Sequence, residues 1–228
     1  MSPAVWHWVG AVTAGLALSW LFERALAAVP AELWIHRDDG VITLSHARNL
    51  VDFGFVGVSP SGERVEGFSA PLQFALYAIS YALTHVGYER FADLQTALGS
   101  VALGAALFWI VLLLGRRAWL AWLGTLVAGW LLQRSATFLL WHASGMENAL
   151  THASYAATWA VLLQQLEKPN VALGWALVPL LASLSRFESI LHIGPILVLF
   201  AVVHFRAHRT LAGVRFAGAC CGAWLLWL

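Results

Sequence analysis

Charge-free apolar runs set the terms for this chain: Ala4–Phe22, Leu94–Leu114, Ala118–Gln133, Asn148–Leu166, Val171–Ser185 and Ser189–Phe205, with another opening near Phe216. A helix crossing a bilayer needs about 20 mainly apolar residues, and about 17 suffice. The runs therefore predict an all-α polytopic membrane protein built as a single transmembrane domain over 1–228. The expected spans are 4–28, 91–115, 118–141, 147–166, 171–187, 189–205 and 215–228. Ala118–Gln133 is short, and Ala136–Trp141 beyond Arg134 supplies the missing length. An outer loop over 30–90 separates the first two spans. No Lys or Arg precedes Arg24, so the first run lacks the basic head of a secretory signal and reads as an uncleaved span.

With 60% hydrophobic and 11% charged residues and a net charge of +1, the chain offers nothing to nucleic acid or to an acidic soluble partner. Its implied surroundings are the lipid bilayer. The two cysteines, Cys220 and Cys221, are adjacent inside an apolar run, where they read as packing residues. The nine histidines read mainly as interfacial or packing residues, with His36 beside an acidic pair.

Gly67–Tyr88 is charge-free and long enough to cross, yet it carries Pro71, Gln73, Ser80, Thr84, His85 and two tyrosines. Polar residues at that density disfavour a lipid-facing span. If it does not cross, Arg116, Arg117, Lys168, Arg206, Arg209 and Arg215 fall on the cytoplasmic side and Arg90, Arg134 and Arg186 opposite. That asymmetry follows the positive-inside rule, and a crossing helix reverses it. The segment is expected to be juxtamembrane or re-entrant.

The same topology sends Asp38, Asp39, Glu63, Glu66, Glu147 and Glu188 to the extracytoplasmic face and leaves Glu167 inside. Acids concentrated at one membrane boundary point to an active site or an ion site there. Asp38 and Asp39 open a segment in which Val41, Leu44, Ala47 and Val51 recur at helical spacing, opposite Thr43, His46, Asn49 and Asp52. That helix is expected to lie flat on the membrane surface with the acids at its N-terminus, where the dipole favours them. One aspartate can take a proton from an acceptor hydroxyl while its neighbour orients it or holds a divalent cation; the pair also reads as a plain N-cap with a first-turn acid. In Gly62-Glu63-Arg64-Val65-Glu66-Gly67, Arg64 offers a planar fork to a phosphate and Glu66 an acceptor to a sugar hydroxyl, and the stretch also reads as a charged turn. Glu147 of Gly145-Met146-Glu147, and Arg186 with Glu188, read either as substrate contacts or as helix-end and hairpin ion pairs.

Taken together, Asp38-Asp39, the Thr43–Asn49 segment, Gly62–Gly67, Pro71-Leu72, Gly145-Met146-Glu147 and Arg186-Phe187-Glu188 resemble the N-terminal half of a GT-C glycosyltransferase. The nearest branch is that of the terminal β-(1→2)-arabinofuranosyltransferases of mycobacterial cell walls; aminoarabinose and protein O-mannosyl transferases are more distant. The resemblance covers roughly Trp34 to His192. It implies a GT-C-like bundle with juxtamembrane helices in the first outer loop. It also implies inverting transfer from a polyprenyl-phosphate-linked sugar donor to a glycan or lipid acceptor of the cell envelope, on the outer face of the plasma membrane. By that implication Asp38 is the base, Asp39 supports it, and Glu147 is the acid of the second outer loop. Arg48, Arg64 and Arg186 are the candidates for the cation that meets the leaving phosphate. Where the family carries Tyr-Thr-Asn-Pro-Leu-Trp, this chain has Phe68-Ser69-Ala70-Pro71-Leu72-Gln73, and Phe187 replaces a proline. Members of the family have more spans, so the chain reads as C-terminally truncated. A transporter or flippase-like protein and an inactive remnant are the competing readings.

Overall fold

The computed structural model describes residues 3–29, 38–57 and 70–225, of which Pro3, Ala4, Asp38, Asp39 and Ala223 are described by backbone alone. All secondary structure among these is helical: α1 (Pro3–Ala27), α2 (Asp38–Phe53), α3 (Pro71–Thr84), α4 (Tyr88–Gly115), α5 (Ala118–Gln133), α6 (Ala136–His142), α7 (Asn148–Leu166), α8 (Leu177–Ser185), α9 (Ser189–His208) and α10 (Ala212–Leu225). A 3₁₀ turn, Leu173–Ala176, leads into α8. Among the described residues three helices, Val5–Ala27, Tyr88–Gly115 and Ser189–His208, are long and apolar enough to cross a membrane. Trp6, Trp8, Trp20, Trp119 and Trp130 are more than half exposed, as rings facing lipid would be.

At the centre lies α4, against α1 on one side and α7 on the other. Small residues make both approaches possible. A Cβ on Gly15 of α1 would fall 2.3 Å from the Val101 carbonyl oxygen, and one on Gly99 would fall 2.8 Å from the Ala149 Cβ. Without water between apolar helices, close backbone packing of this kind is what holds them together. Leu18, Phe22, Leu103, Leu139 and Ala153 fill the space between α1, α4, α6 and α7. Val161, Leu162, Ile193, Leu197, Phe200 and Phe216 form a second core that joins α7, α9 and α10. Cys220 is buried in that core as a free thiol, in keeping with the packing role expected of it.

The stretch expected as a span over 118–141 is broken. Ser135 leaves the helical region (φ −92°, ψ 101°) and its Oγ accepts from the Phe138 N–H at 3.2 Å, capping a new helix, α6. The cap satisfies one of the N–H groups that every helix start exposes. At 14 residues, α3 is about 21 Å long against a hydrocarbon core about 30 Å thick. It ends at His85, whose left-handed conformation (φ 51°) returns its N–H to the Tyr81 carbonyl at 2.8 Å.

The charged residues separate in space as well as in sequence. Arg116 pairs with Glu167, and the Nε2 atoms of His208 and His204 bond the Leu166 and Lys168 carbonyls at 2.8 and 2.9 Å. These contacts tie the far ends of α4, α7 and α9 together. At the opposite ends of α7 and α9 sit Glu147, Arg186 and Glu188.

The amphipathic reading of α2 needs correction. Leu44 and Ala47 are buried as its apolar stripe requires, but so are Thr43, His46 and Asn49, while Val51, Ile42, Leu50 and Phe53 are exposed. The polar stripe faces the protein because it finds partners there: Asn49 Nδ2 donates to the Gly57 carbonyl at 2.6 Å, and His46 Nδ1 meets the Ile42 carbonyl at 2.8 Å. Buried polar groups with such partners cost little, whereas Ile42, Leu50 and Phe53 are left to whatever covers the outside.

Candidate functional site

Three turns converge at one end of the bundle. The first is the α6–α7 turn, where Gly145 takes φ +79°, a left-handed conformation that glycine adopts without strain. This bend sets Glu147 at the head of α7, 3% exposed. The second is the α8–α9 turn, where Arg186 leaves α8 in extended backbone (φ −148°, ψ 150°). Its Nε lies 3.2 Å from Glu147 Oε1 and 2.7 Å from Glu188 Oε1. The third is the start of α2. A Cβ on Gly40 would lie 2.8 Å from the Gly145 carbonyl oxygen and 3.3 Å from the Met146 nitrogen. Only a residue without a side chain lets α2 begin this close to the α6–α7 turn.

Asp38 and Asp39 are placed by their backbone alone, as the first two residues of α2, two and one positions ahead of that contact. The structure therefore brings Glu147, Arg186 and Glu188 together and starts α2, which the acidic pair opens, against the Gly145–Met146 turn that precedes Glu147. Arg64 and Glu66 lie outside the described residues. Arg48 is on α2 but is not part of this cluster. It stands ten residues after Asp38, about 15 Å along the helix. Its Nε donates to Asp52 Oδ2 at 3.1 Å, one turn further away, and that bond with the neighbouring Tyr81 raises its pKa above the ordinary guanidinium value.

The α6–α7 turn is held by two glutamines that the sequence reading did not single out for a role. Gln73 of α3, fully buried, donates through Nε2 to the Gly145 carbonyl at 2.9 Å and to Gln95 Oε1 at 3.0 Å. Gln95 of α4 donates in turn to the Met146 carbonyl at 2.5 Å. The polarity of Gln73 had marked Gly67–Tyr88 as unlike a lipid-facing span, and this is the physical reason for it. Its use as a clamp depends on a partner 72 residues away.

Below the clamp, α4 holds the same turn again. Ser100 Oγ donates to the Thr96 carbonyl at 2.8 Å, so it accepts from His142 Nε2 at 2.9 Å. His142 Nδ1 is then an acceptor, and His152 Nδ1–H donates to it across 3.0 Å, with the two ring planes 4° from parallel. One proton lies between the facing nitrogens, and the direction of every bond follows from the serine. These histidines pack and position, as most of the nine were expected to.

Among the described residues no three His, Cys, Asp or Glu side chains gather as a metal site. Glu147 and Glu188, the described carboxylates at this point, are both drawn onto Arg186. What the arrangement provides is a rigid, buried carboxylate, a guanidinium oriented by two acids, and a helix start that carries two more acids. Comparison with family models, with curated proteins and with solved structures finds no match for this chain.

Proposed function

We propose that the protein is a GT-C-type membrane glycosyltransferase that moves a sugar from a polyprenyl-phosphate donor onto a glycan or lipid acceptor at the extracytoplasmic face. The observation that supports this reading is the approach of Gly40 to Gly145 and Met146. The resemblance draws on two separate stretches, the acidic pair of the first outer loop and Gly145-Met146-Glu147 of the second, and Gly40, which follows the pair, meets Gly145 and Met146.

In the proposed reaction the acceptor hydroxyl oxygen attacks C1 of the donor sugar, and Asp38 takes the hydroxyl proton. The C1–O bond to phosphate breaks with its electron pair going to the phosphate, and the configuration at C1 inverts. A polyprenyl phosphate leaves readily, so no acid is needed at the departing oxygen. Its growing charge calls for a fixed cation. Arg186 suits that task better than Arg48, since Arg186 borders the α2 start through Glu147. Its Nε lies within 3.2 Å of both carboxylates, and a planar fork suits the oxygens of a phosphate. Glu147 and Glu188 fix the orientation of the guanidinium.

The test is transfer of radiolabelled sugar from polyprenyl-phosphate donors in membranes containing the protein, compared with membranes carrying Arg186→Ala. The proposal expects donor-dependent transfer with inverted configuration, and at least a hundredfold loss in the variant. Donor-independent incorporation, or none from any polyprenyl-phosphate sugar, contradicts it.

A further inference from the structure

A groove of about 680 Å³ runs between α9 and α10. Phe200, Phe216 and Cys220 turn inward to the core, with the two phenyl ring centres 5.5 Å apart. The groove lies outside them, where Val198, Val202 and Phe205 of α9 line it with Val214, Gly218 and Cys221 of α10. Arg206 and Arg209 also border it, at the basic end of α9. We propose that this groove binds an anionic phospholipid, with an acyl chain between the helices and the headgroup phosphate on the two arginines. The site is independent of the glycosyltransferase reading. At 20 residues α9 is about 30 Å long, and Glu188 and Arg186 lie at its other end.

Glycines set the shape of the groove. A Cβ on Gly213 would fall 2.9 Å from the His204 Cβ, so the helices close tightly at their turn. A Cβ on Gly218 would meet nothing within 4 Å. Packing within the chain does not call for glycine there, and glycine in an exposed helix costs about 1 kcal/mol. What it does is leave the groove open. From Val198 to Arg206 the groove rises about 12 Å, which fits within one leaflet of a hydrocarbon core about 30 Å thick. Its apolar walls, with Val198, Val202, Phe205 and Val214 exposed, suit a hydrocarbon chain.

Charge selects the headgroup. Arg206 and Arg209 are exposed, and neither has a carboxylate partner among the described residues. Glu167, an acid at this end of the bundle, is held by Arg116. Arg209 is fixed at the turn by its backbone: it caps α9 at φ 56° and returns its N–H to the Phe205 carbonyl at 2.8 Å. Two guanidinium forks three residues apart, where an apolar groove meets the membrane boundary, match a lipid phosphate. A protein helix laid in the groove would cover the apolar walls and leave both cations unanswered. A zwitterionic lipid brings its own ammonium to compete with them.

The experiment measures binding of phosphatidylglycerol and phosphatidylcholine with identical acyl chains to the purified protein in neutral detergent, by native mass spectrometry. Phosphatidylglycerol should bind at least about tenfold more tightly, since each arginine near a membrane surface contributes about 1 kcal/mol toward an anionic lipid. Arg206→Gln/Arg209→Gly should abolish that preference. Gly218→Leu should weaken both lipids at least about tenfold by filling the groove. These substitutions suit the local backbone, because glycine is the usual residue at a left-handed helix cap and leucine is a better helix former entering open space. Equal affinity for the two lipids, a preference that survives in the double variant, or binding untouched by Gly218→Leu overturns the proposal. Displacement by glycerol 3-phosphate also overturns it, by marking a phosphate site that needs no acyl chain. A dimer that Gly218→Leu dissociates does so too, by making a second copy the occupant.

Discussion

The Nε of Arg186 lies 3.2 Å from Oε1 of Glu147, and this one contact joins the α8–α9 turn to the α6–α7 turn. The Glu147 side chain is 4% exposed and that of Arg186 33%. Removing the cation strands a buried carboxylate, at a cost of about 3 kcal/mol, whereas neutralising the acid as well restores much of it. Arg186→Ala should lower thermal stability in detergent markedly, and Arg186→Ala/Glu147→Gln should recover at least half the loss. A single variant within about 0.5 kcal/mol of wild type would show that the pair is a surface contact.

Gly40→Ala separates two effects that usually run together. In an open helix the change would stabilise, by up to about 1 kcal/mol, because alanine is the better helix former. Here the new Cβ meets the Gly145 carbonyl oxygen at 2.8 Å and must push α2 away from the α6–α7 turn. The expected outcome is no gain in stability together with a fall in transfer. A more stable protein with unchanged transfer would mean that the approach of the two loops has no bearing on activity.

Gln73→Leu removes both donor bonds that reach the Gly145 carbonyl and Gln95. Stranding those buried acceptors should cost about 2 kcal/mol, seen as a lowered melting temperature in detergent. Gln95→Leu should add little to Gln73→Leu, since the two act as one clamp. Full additivity would show that the glutamines hold the turn independently.

How much of this was legible in the sequence differs from residue to residue. The apolar runs place the helices well, because period and composition are local properties. Ser135 breaks the third expected span: total apolar length predicts one helix there, whereas the serine caps a second. On α2, Leu44 and Ala47 fall inside as their spacing predicts. Thr43, His46 and Asn49 are buried beside them, with Ile42 in the same helix and Gly57 just after it meeting His46 and Asn49, and apolar periodicity carries no information about such bonds. Gly145-Met146-Glu147 and Arg186-Phe187-Glu188 were visible as motifs. Their ion pair, the Gln73–Gln95 clamp and the Ser100–His142–His152 chain are long-range pairings, which a single sequence does not encode in any local pattern.

Tyr77 gives a pH signature. It is buried, its hydroxyl donates to the Val86 carbonyl at 3.2 Å, and burial pushes its pKa up to about 12, with Tyr81 adding to the effect. The folded protein therefore keeps this proton between pH 10 and about 12, where the unfolded chain has lost it. The contribution is complete below pH 10 and disappears as the pH climbs to about 12. Stability should decline across that window, and more gently in Tyr77→Phe. Identical slopes would contradict the assignment.

The most direct test of the whole account is the turnover of Asp38→Asn. The substitution keeps the size of the side chain and its place at the start of α2 but removes the base. Transfer from a polyprenyl-phosphate sugar should fall by about 10²–10⁴-fold, with membrane insertion and thermal stability unchanged. Near wild-type transfer by the asparagine variant would contradict the account.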